Sequence, residues 1–374
     1  MRIALFTPFD PTWGGGATIF RNLLAHLSGM EFQWFYLSES QPAMSNTTRL
    51  GPPVLGGSFA KDAINSARIF GFQSHPILAA HARTILEWSP DVVWVNAMNE
   101  GVLLGKLLAD SGAARLHVSV HDDPMGLAMK SKRYRHLAPI IDLRCRSLLR
   151  RAGSVDVVSE AMGRRYRQRF GVTASVVFRY IDRPATLVAH PPAERVVKIG
   201  HVGTAYSARE VEAFFDALRK LGQSDGIQFK VLAFGGSPAL ESASLKFPGL
   251  VQLLGDVAED EVVRQLAQCS FVYSMYSFDS SHRIFRETSL PTKISTYLMA
   301  ARPILVHSPE NSTTCQMMEK FKLGISVNSF AQADLVAGIR RILAYDLELA
   351  EVQKATEHYC GRRNLSCLME CLGI

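Results

Sequence analysis

The sequence predicts an α/β protein made of two tandem doubly wound parallel sheets. Strand and helix signals alternate along nearly the whole 374-residue chain. One stretch near the middle, IDRPATLVAHPPAER at 181–195, carries three prolines and no helical period, and it reads as a linker. The length also exceeds what one ordinary core absorbs, so two domains are expected.

The first half opens with a buried strand at 3–7, a glycine-rich loop and a helix over 17–27 closed by Gly29. A strand follows at 32–37. Residues 40–60 are rich in Ser, Pro, Gly and Thr and read as a long loop. The run DVVWVN at 91–96 is continuously apolar, as a strand covered on both faces should be. Helix at 101–109, strand at 116–120, helix at 137–151, strand at 154–158 and helix at 160–169 complete this half.

After the linker the alternation restarts. It reads as strand 196–202, helix 207–221, strand 229–234, helix 237–244, strand 251–254, helix 258–267 and strand 271–275. Residues 277–290 read as a loop. The segment LPTKISTYLMAARPIL at 290–305 then gives a helix, and a strand follows at 304–307. Domain limits of 1–183 and 184–350 follow. The helical tail after 331 is more than the second sheet needs, and its last part, 351–374, is left to pack back on the first domain.

Composition narrows the function. The chain is 47% apolar and 20% charged, and no apolar run approaches the roughly 18–20 residues of a membrane span. The apolar stretch before Pro8 and Asp10 is too short for a signal-peptide core. The six cysteines form no CxxC pair, and Cys360, Cys367 and Cys371 fit one helical stripe. A reduced cytosolic setting is expected. The net charge is +7, with basic residues crowded into 130–169: Lys130, Lys132, Arg133, Arg135, Arg144, Arg146, Arg150, Arg151, Arg164, Arg165, Arg167 and Arg169. This block suits a phosphorylated ligand or an anionic bilayer, or else consists of solvated helix faces. Nucleic acid is disfavoured, because no base-reading motif and no interleaved aromatics accompany it.

The chemistry concentrates at strand ends. Gly14, Gly15 and Gly16 follow the first strand and open a helix, where their N–H groups can approach a ligand, unless they form only a flexible turn. This is neither the GxGxxG fingerprint nor a P-loop, so a dehydrogenase is disfavoured. Gly200 and Gly203 end the first strand of the second domain, and Arg209 opens its next helix with a guanidinium able to grip phosphate. AFGGSP at 233–238 and LLGDV at 253–257 put Gly235 and Asp256 at further strand ends. Lys293 stands where a helix begins, after Pro291 in the first turn, and either seats phosphate or is an ordinary surface lysine. Ile294, Tyr297, Leu298 and Ala301 make that helix's buried face, with Lys293, Thr296 and Ala300 on another.

These segments together resemble the retaining sugar-nucleotide glycosyltransferases of family 4, with the GT-B fold, along nearly the whole chain. The resemblance rests on Gly15–Gly16, on VHDDP with the strand-end His121, and on VVSEAMGRRYRQRFG at 157–171. It continues with VFRYID ending at Asp182, GTAYSAR with Arg209 in a lysine position, and PTKISTYLMAARP. It implies two Rossmann-like doubly wound domains facing a cleft. It implies transfer of a sugar from a nucleotide-sugar donor to a glycan or polyprenyl-linked acceptor, with no metal cofactor. Catalysis then falls to His121, Arg209 and Lys293. Donor binding falls to Gly15, Gly16, Gly203, Thr204, Gly235, Asp256, Val257, Glu287 and Thr296. His121 would hydrogen-bond the transferred sugar, although a capping or core histidine is the plainer alternative. The leaving phosphate would take the acceptor's proton, so no protein base is assigned. Asp122–Asp123 read as a polar strand-end loop rather than a metal site.

The chain departs from the family at the two glutamates eight residues apart, replaced by Thr288 and Thr296, and at Thr204, where an arginine is usual. Glu287, Arg286 and His282 are the candidates to compensate. Ala301 replaces a final helix glycine. The alternative to an enzyme is a catalytically impaired member of the same fold, acting as a nucleotide-sugar-binding or scaffold subunit. An epimerase or phosphorylase is the third reading. If the acceptor is lipid-borne, the basic block would place the protein peripherally on the inner face of the plasma membrane.

Overall fold

The computed structural model describes residues 1–12, 14–40, 44–182 and 196–374. The chain forms two compact units. Unit 1 comprises Met1–Tyr180, Ser281–Ser289 and Arg362–Ile374; unit 2 comprises Ile181–Ser280 and Leu290–Gly361. The expected boundary at 183/184, and most of the linker, fall outside the described residues.

Unit 1 carries β1 (Arg2–Thr7), α1 (Gly15–Leu24), β2 (Glu31–Leu37), β3 (Thr47–Gly51), α2 (Phe59–Ser66), α3 (Pro76–Glu87) and β4 (Val92–Asn96). It continues with α4 (Glu100–Ser111), β5 (Arg115–Val120), α5 (Pro124–Lys130), α6 (Ala138–Leu149), β6 (Ser154–Val157), α7 (Glu160–Phe170) and β7 (Ser175–Val176). The sheet order is β3-β2-β1-β4-β5-β6-β7, all parallel. Strand order reverses between β1 and β4, and such a switch point leaves a crevice at the strands' carboxyl ends.

The core of unit 1 is aromatic. Phe20 packs edge-on against Trp34 and Trp94, with ring centroids 5.9 and 5.1 Å apart. Each indole N–H must find an acceptor when buried. Trp34 donates to Thr7 Oγ1 at 2.8 Å and Trp94 to Ser119 Oγ at 2.6 Å. Beneath them His117 and Asp156 form a fully buried pair at 2.6 Å.

Unit 2 carries β8 (Val196–Val202), α8 (Ala208–Asp225), β9 (Gln228–Phe234), α9 (Pro238–Lys246), β10 (Val251–Gly255), α10 (Glu259–Leu266) and β11 (Phe271–Met275). The next helix, α11 (Arg283–Thr288), belongs to unit 1. Unit 2 resumes with α12 (Lys293–Ala300), β12 (Ile304–His307), α13 (Thr313–Phe321), β13 (Gly324–Val327), α14 (Gln332–Leu343) and α15 (Leu349–Cys360). The sheet order β10-β9-β8-β11-β12-β13 is again all parallel, with its switch point between β8 and β11. Phe214 of α8 stacks flat on Tyr273 of β11, with centroids 3.9 Å apart. The last helix, α16 (Arg362–Leu372), packs in unit 1 against β6 and β7.

Four expectations need correction. The 40–60 loop contains β3, paired with β2 from Trp34↔Thr47. It is an edge strand covered on one side, so TTRLG shows no apolar run. Residues 277–290 include a 3₁₀ turn and α11. The cysteine stripe is not one helix, because the chain turns extended at Gly361, where a Cβ would stand 2.3 Å from the Glu357 carbonyl oxygen. Lastly, α12 begins at Lys293 with Thr292 as its N-cap, so Pro291 precedes the helix. That helix is buried on the Lys293–Thr296 side too, and Ala301 ends it in the left-handed region at φ 47°.

Candidate functional site

In unit 2 the site grows from three consecutive strand ends. β8, β9 and β10 each stop at a glycine with positive φ: Gly203 (68°), Gly235 (83°) and Gly255 (66°). The turns are hydrogen-bonded to one another. Gly203 N–H donates to the Phe234 carbonyl and Gly235 N–H to the Gly255 carbonyl, both at 2.7 Å. A Cβ on Gly235 would lie 3.4 Å from Gly203 Cα and 4.0 Å from Asp256 Oδ1. The structure therefore brings Gly203, Gly235 and Asp256 together on one ledge. Val257, half-buried, follows Asp256 into the start of α10.

Across the switch point stands α12. Tyr297 fixes it there, accepting the Val202 N–H at 3.1 Å and donating to the Tyr273 carbonyl at 2.8 Å. The hydroxyl thus ties α12 to β8 and β11 at once. One turn earlier, Lys293 Nζ donates to the Thr204 carbonyl at 2.8 Å and lies 5.4 Å from the Tyr206 ring centroid. Burial lowers its pKa to about 7, with no carboxylate among the described residues contributing in the opposite direction. Burial, with the same ammonium adding to it, holds His201 down to about 3. Neither α8 nor α12 is capped by its own N-cap side chain, Ser207 or Thr292. A desolvated cation beside uncapped helix N-termini is an arrangement suited to an anion.

Arg209 is exposed in the first turn of α8, with its guanidinium 3.9 Å above the Phe330 ring. Its neighbour Glu210 is buried. One carboxylate oxygen accepts the Phe278 N–H at 2.7 Å, and the other has no partner among the described residues. Thr296 Oγ1 donates to Glu259 Oε1 at 3.1 Å. Sequence reasoning missed Glu259. It stands in the first turn of α10, so a carboxylate does accompany Thr296, supplied by a neighbouring helix rather than by α12. Only its place three residues after Asp256 could have drawn attention to it.

Glu287 is not brought to this group within unit 2. It lies on α11 in unit 1 and pairs with Arg283 at 2.9 Å. Arg286 is on the same helix, and His282 is its N-cap. The carbonyl of Thr288 accepts the Ser159 hydroxyl at the start of α7.

In unit 1, α1 starts at Gly15, with Gly14 as N-cap at φ 89°. Trp13 lies outside the described residues. A Cβ on Gly16 would come within 3.0 Å of Phe9 Cζ and 3.4 Å of His121 Nδ1, so the glycine loop and the strand-end histidine meet. The His121 ring lies 4.5 Å from that of Phe20. Its Nδ1 is buried without a partner among the described residues, and burial lowers its pKa, with Asp156 and Asp122 opposing. Asp123 is committed elsewhere. It caps α5 by accepting the Gly126 N–H at 2.7 Å and lies 3.5 Å from Arg165. Among the described residues no three His, Cys, Asp or Glu side chains cluster as metal ligands do.

Much of the basic block is spent inside unit 1. Arg151 pairs with Asp110 at 3.0 Å and Arg169 with Asp142 at 2.7 Å. Arg150 donates to the Phe170 carbonyl. Lys130 is largely buried, its ammonium 3.6 Å over the Phe285 ring. Among the described residues no helix is long and apolar enough to cross a membrane.

No family model and no curated relative matches the sequence. Among solved structures, the chain is similar to the trehalose-6-phosphate synthase OtsA, with a TM-score of 0.68 and 14% identity over 100% of this chain and 99% of that one. It is similar to WaaG, a glycosyltransferase involved in lipopolysaccharide biosynthesis, at 0.65 and 13% over 100% of both chains. It is also similar to a putative UDP-N-acetylglucosamine 2-epimerase from Listeria monocytogenes, at 0.60 and 11% over 98% and 94%. With its two all-parallel sheets of matching strand order, the chain has the GT-B fold and resembles the family-4 glycosyltransferases in architecture.

Proposed function

We propose that this chain transfers a sugar from a nucleotide-sugar donor to a glycan or lipid-linked acceptor, with retention and without a metal. The observation that carries the reading is Lys293. A buried ammonium that no carboxylate among the described residues neutralises, at a helix N-terminus on the switch point of unit 2, calls for an anionic ligand. A nucleoside diphosphate meets that demand, since charge on the departing phosphate grows in the transition state. Arg209 and the N–H groups that follow Gly203 and Gly235 in their turns add to the stabilisation, the two glycines' own N–H groups being spent on the neighbouring strand ends. The Asp256–Val257 turn receives the base, and Glu259 with Thr296 receives the ribose hydroxyls. His121, neutral at pH 7, hydrogen-bonds the transferred sugar, and the departing phosphate oxygen takes the acceptor's proton.

A second reading, a nucleotide-sugar-binding scaffold, is favoured only by Thr288 and Thr296 in the glutamate positions. One experiment separates them. The protein is screened against UDP-, GDP- and dTDP-sugars for thermal shift and for release of nucleoside diphosphate, with lipid-linked acceptors present. Binding with release supports the enzyme, binding without release supports the scaffold, and absence of any binding removes both. Conversion of the donor to its epimer, with the nucleoside diphosphate still attached and no acceptor consumed, would point to epimerase-type chemistry instead.

A further inference from the structure

Helix α2 is inside out. Its buried residues are Asp62, Asn65 and Ser66, while Phe59, Ala60, Ala63 and Ile64 face solvent. The inner polar face is fully used. Asp62 accepts the Gly56 N–H and the Tyr134 hydroxyl, each at 2.8 Å, and meets Arg133 at 3.2 Å; Asn65 donates to the Val54 carbonyl at 2.7 Å. A π-helical turn, Ala67–Phe72, continues α2 and extends the outward apolar stripe. Phe59 is 75% exposed, Ile64 55% and Phe72 79%. Aromatic side chains left this open forgo most of what leaving water would gain them, and a contiguous face of them marks an interaction surface.

The charge around the face selects the partner. Between residues 52 and 86 the only acid is Asp62, which is buried and paired. Lys61 and Arg68 are exposed beside the apolar stripe. The basic stretch that includes Lys132 and Arg135, both exposed, is fixed alongside it. Arg133 donates to the Gly57 carbonyl at 3.0 Å, and Arg144 donates to the carbonyls of Phe70 and Gly71 at 2.8 Å. A second copy of this chain would bring the same positive rim and be repelled. An anionic bilayer accepts both halves, taking aromatics at headgroup depth and cations at its surface.

We propose that the outer face of residues 59–72, with Lys61, Arg68, Lys132 and Arg135 at its rim, docks on an anionic phospholipid surface and seats Phe59, Ile64 and Phe72 among the headgroups. The inference goes beyond the transferase reading and does not depend on it, because it concerns binding and not turnover. Of the 130–169 block the docking face uses Lys132 and Arg135, while Arg151 and Arg169 are paired with Asp110 and Asp142 elsewhere in unit 1.

The test is flotation of the full-length protein with vesicles of phosphatidylcholine alone and of phosphatidylcholine mixed with phosphatidylglycerol. The wild type should bind the mixed vesicles and bind the neutral ones about tenfold less or weaker still, with added salt loosening the complex. Phe59→Ser/Phe72→Ser should cut binding about tenfold at unchanged melting temperature, since both rings are exposed. Lys61→Glu/Arg68→Glu should abolish the preference for anionic lipid. A wild type that stays unbound, or a serine variant that binds as well as wild type, would overturn the proposal. So would a wild-type dimer that the serine variant dissolves, which would make the face a protein interface. Normal vesicle binding with no nucleoside diphosphate binding would instead remove the transferase reading and leave this one standing.

Discussion

The ammonium of Lys293 rests 2.8 Å from the main-chain carbonyl of Thr204, across the point where the strand order of the second sheet reverses. That bond holds a charge in a buried place where no carboxylate among the described residues compensates it. Tyr297, one turn on, prevents the helix from moving to relieve the charge, because its hydroxyl is bonded to both β8 and β11. The site is therefore built at a cost to the free protein that an anionic ligand would offset.

That cost predicts a stability gain from removing the charge. The pKa of Lys293 is about 7 in the folded protein against 10.5 for an ordinary lysine. The unfolded chain thus binds the proton more tightly, and stability rises with pH between those two values. The penalty is fully present below pH 7. Lys293→Met should raise the melting temperature, most below pH 7, with the gain shrinking as pH climbs toward 10.5. The Thr204 carbonyl loses its donor, which costs about 1–3 kcal/mol and only partly offsets the gain. Donor turnover should fall about 100-fold or more, as for loss of a transition-state charge contact. A variant less stable than wild type at every pH would show that the lysine is a structural contact.

The same shift predicts proton uptake on binding. Above pH 7 much of Lys293 is neutral in the free protein, and a diphosphate beside it favours the charged form. Calorimetric titration of a nucleoside diphosphate at a pH above 7, in two buffers of different ionisation enthalpy, should give different apparent enthalpies in the direction of uptake. Lys293→Met should erase the difference. Equal enthalpies for the wild type would mean that the ligand does not meet this ammonium.

How much of this was legible in the sequence follows from which interactions are local. Strands buried on both faces announce themselves as apolar runs, such as VVWVN and FVYSM, and both sheets were readable on that account. Lys293, Gly203 and Gly16 stand at helix starts and strand ends, the places whose sequence signals are local. The edge strand TTRLG and the helix RIFRET gave none, the first because it is half covered, the second because it packs on a unit remote in sequence. The partner of Thr296 was hidden for a similar reason. Glu259 is 37 residues away, and only the meeting of α10 with α12 makes it part of the site.

Glu259 should govern the recognition of ribose. If its carboxylate accepts the sugar hydroxyls, removing one hydroxyl or the negative charge should forfeit the same interaction. Wild-type protein should bind a nucleoside diphosphate about tenfold or more tighter than its 2′-deoxy counterpart, the range for hydrogen bonds to a charged group. Glu259→Gln should weaken the ribonucleotide by a similar factor and leave the deoxy form almost unaffected. Titration of both ligands into both proteins gives the interaction directly. An undiminished preference in the variant would assign ribose recognition to another residue.

In unit 1 the test case is the meeting of Gly16 and His121. A methyl group at Gly16 would stand 3.0 Å from Phe9 Cζ, the tip of a movable ring, and 3.4 Å from His121 Nδ1. The first contact can relax, so Gly16→Ala should cost only about 1 kcal/mol of stability, the low end for a crowded substitution. The second contact falls on a ring nitrogen that has no other partner in the described structure, and it occupies the space in which a ligand would reach that atom. Turnover should therefore drop about tenfold or more while folding is nearly preserved, on the scale of a misplaced positioning contact. His121→Ala should show the same loss, and the double variant should lose little more than either single one, because both changes act on one contact. Fully additive losses would mean that Gly16 and His121 serve separate purposes, the glycine shaping the start of α1 and the histidine acting without it.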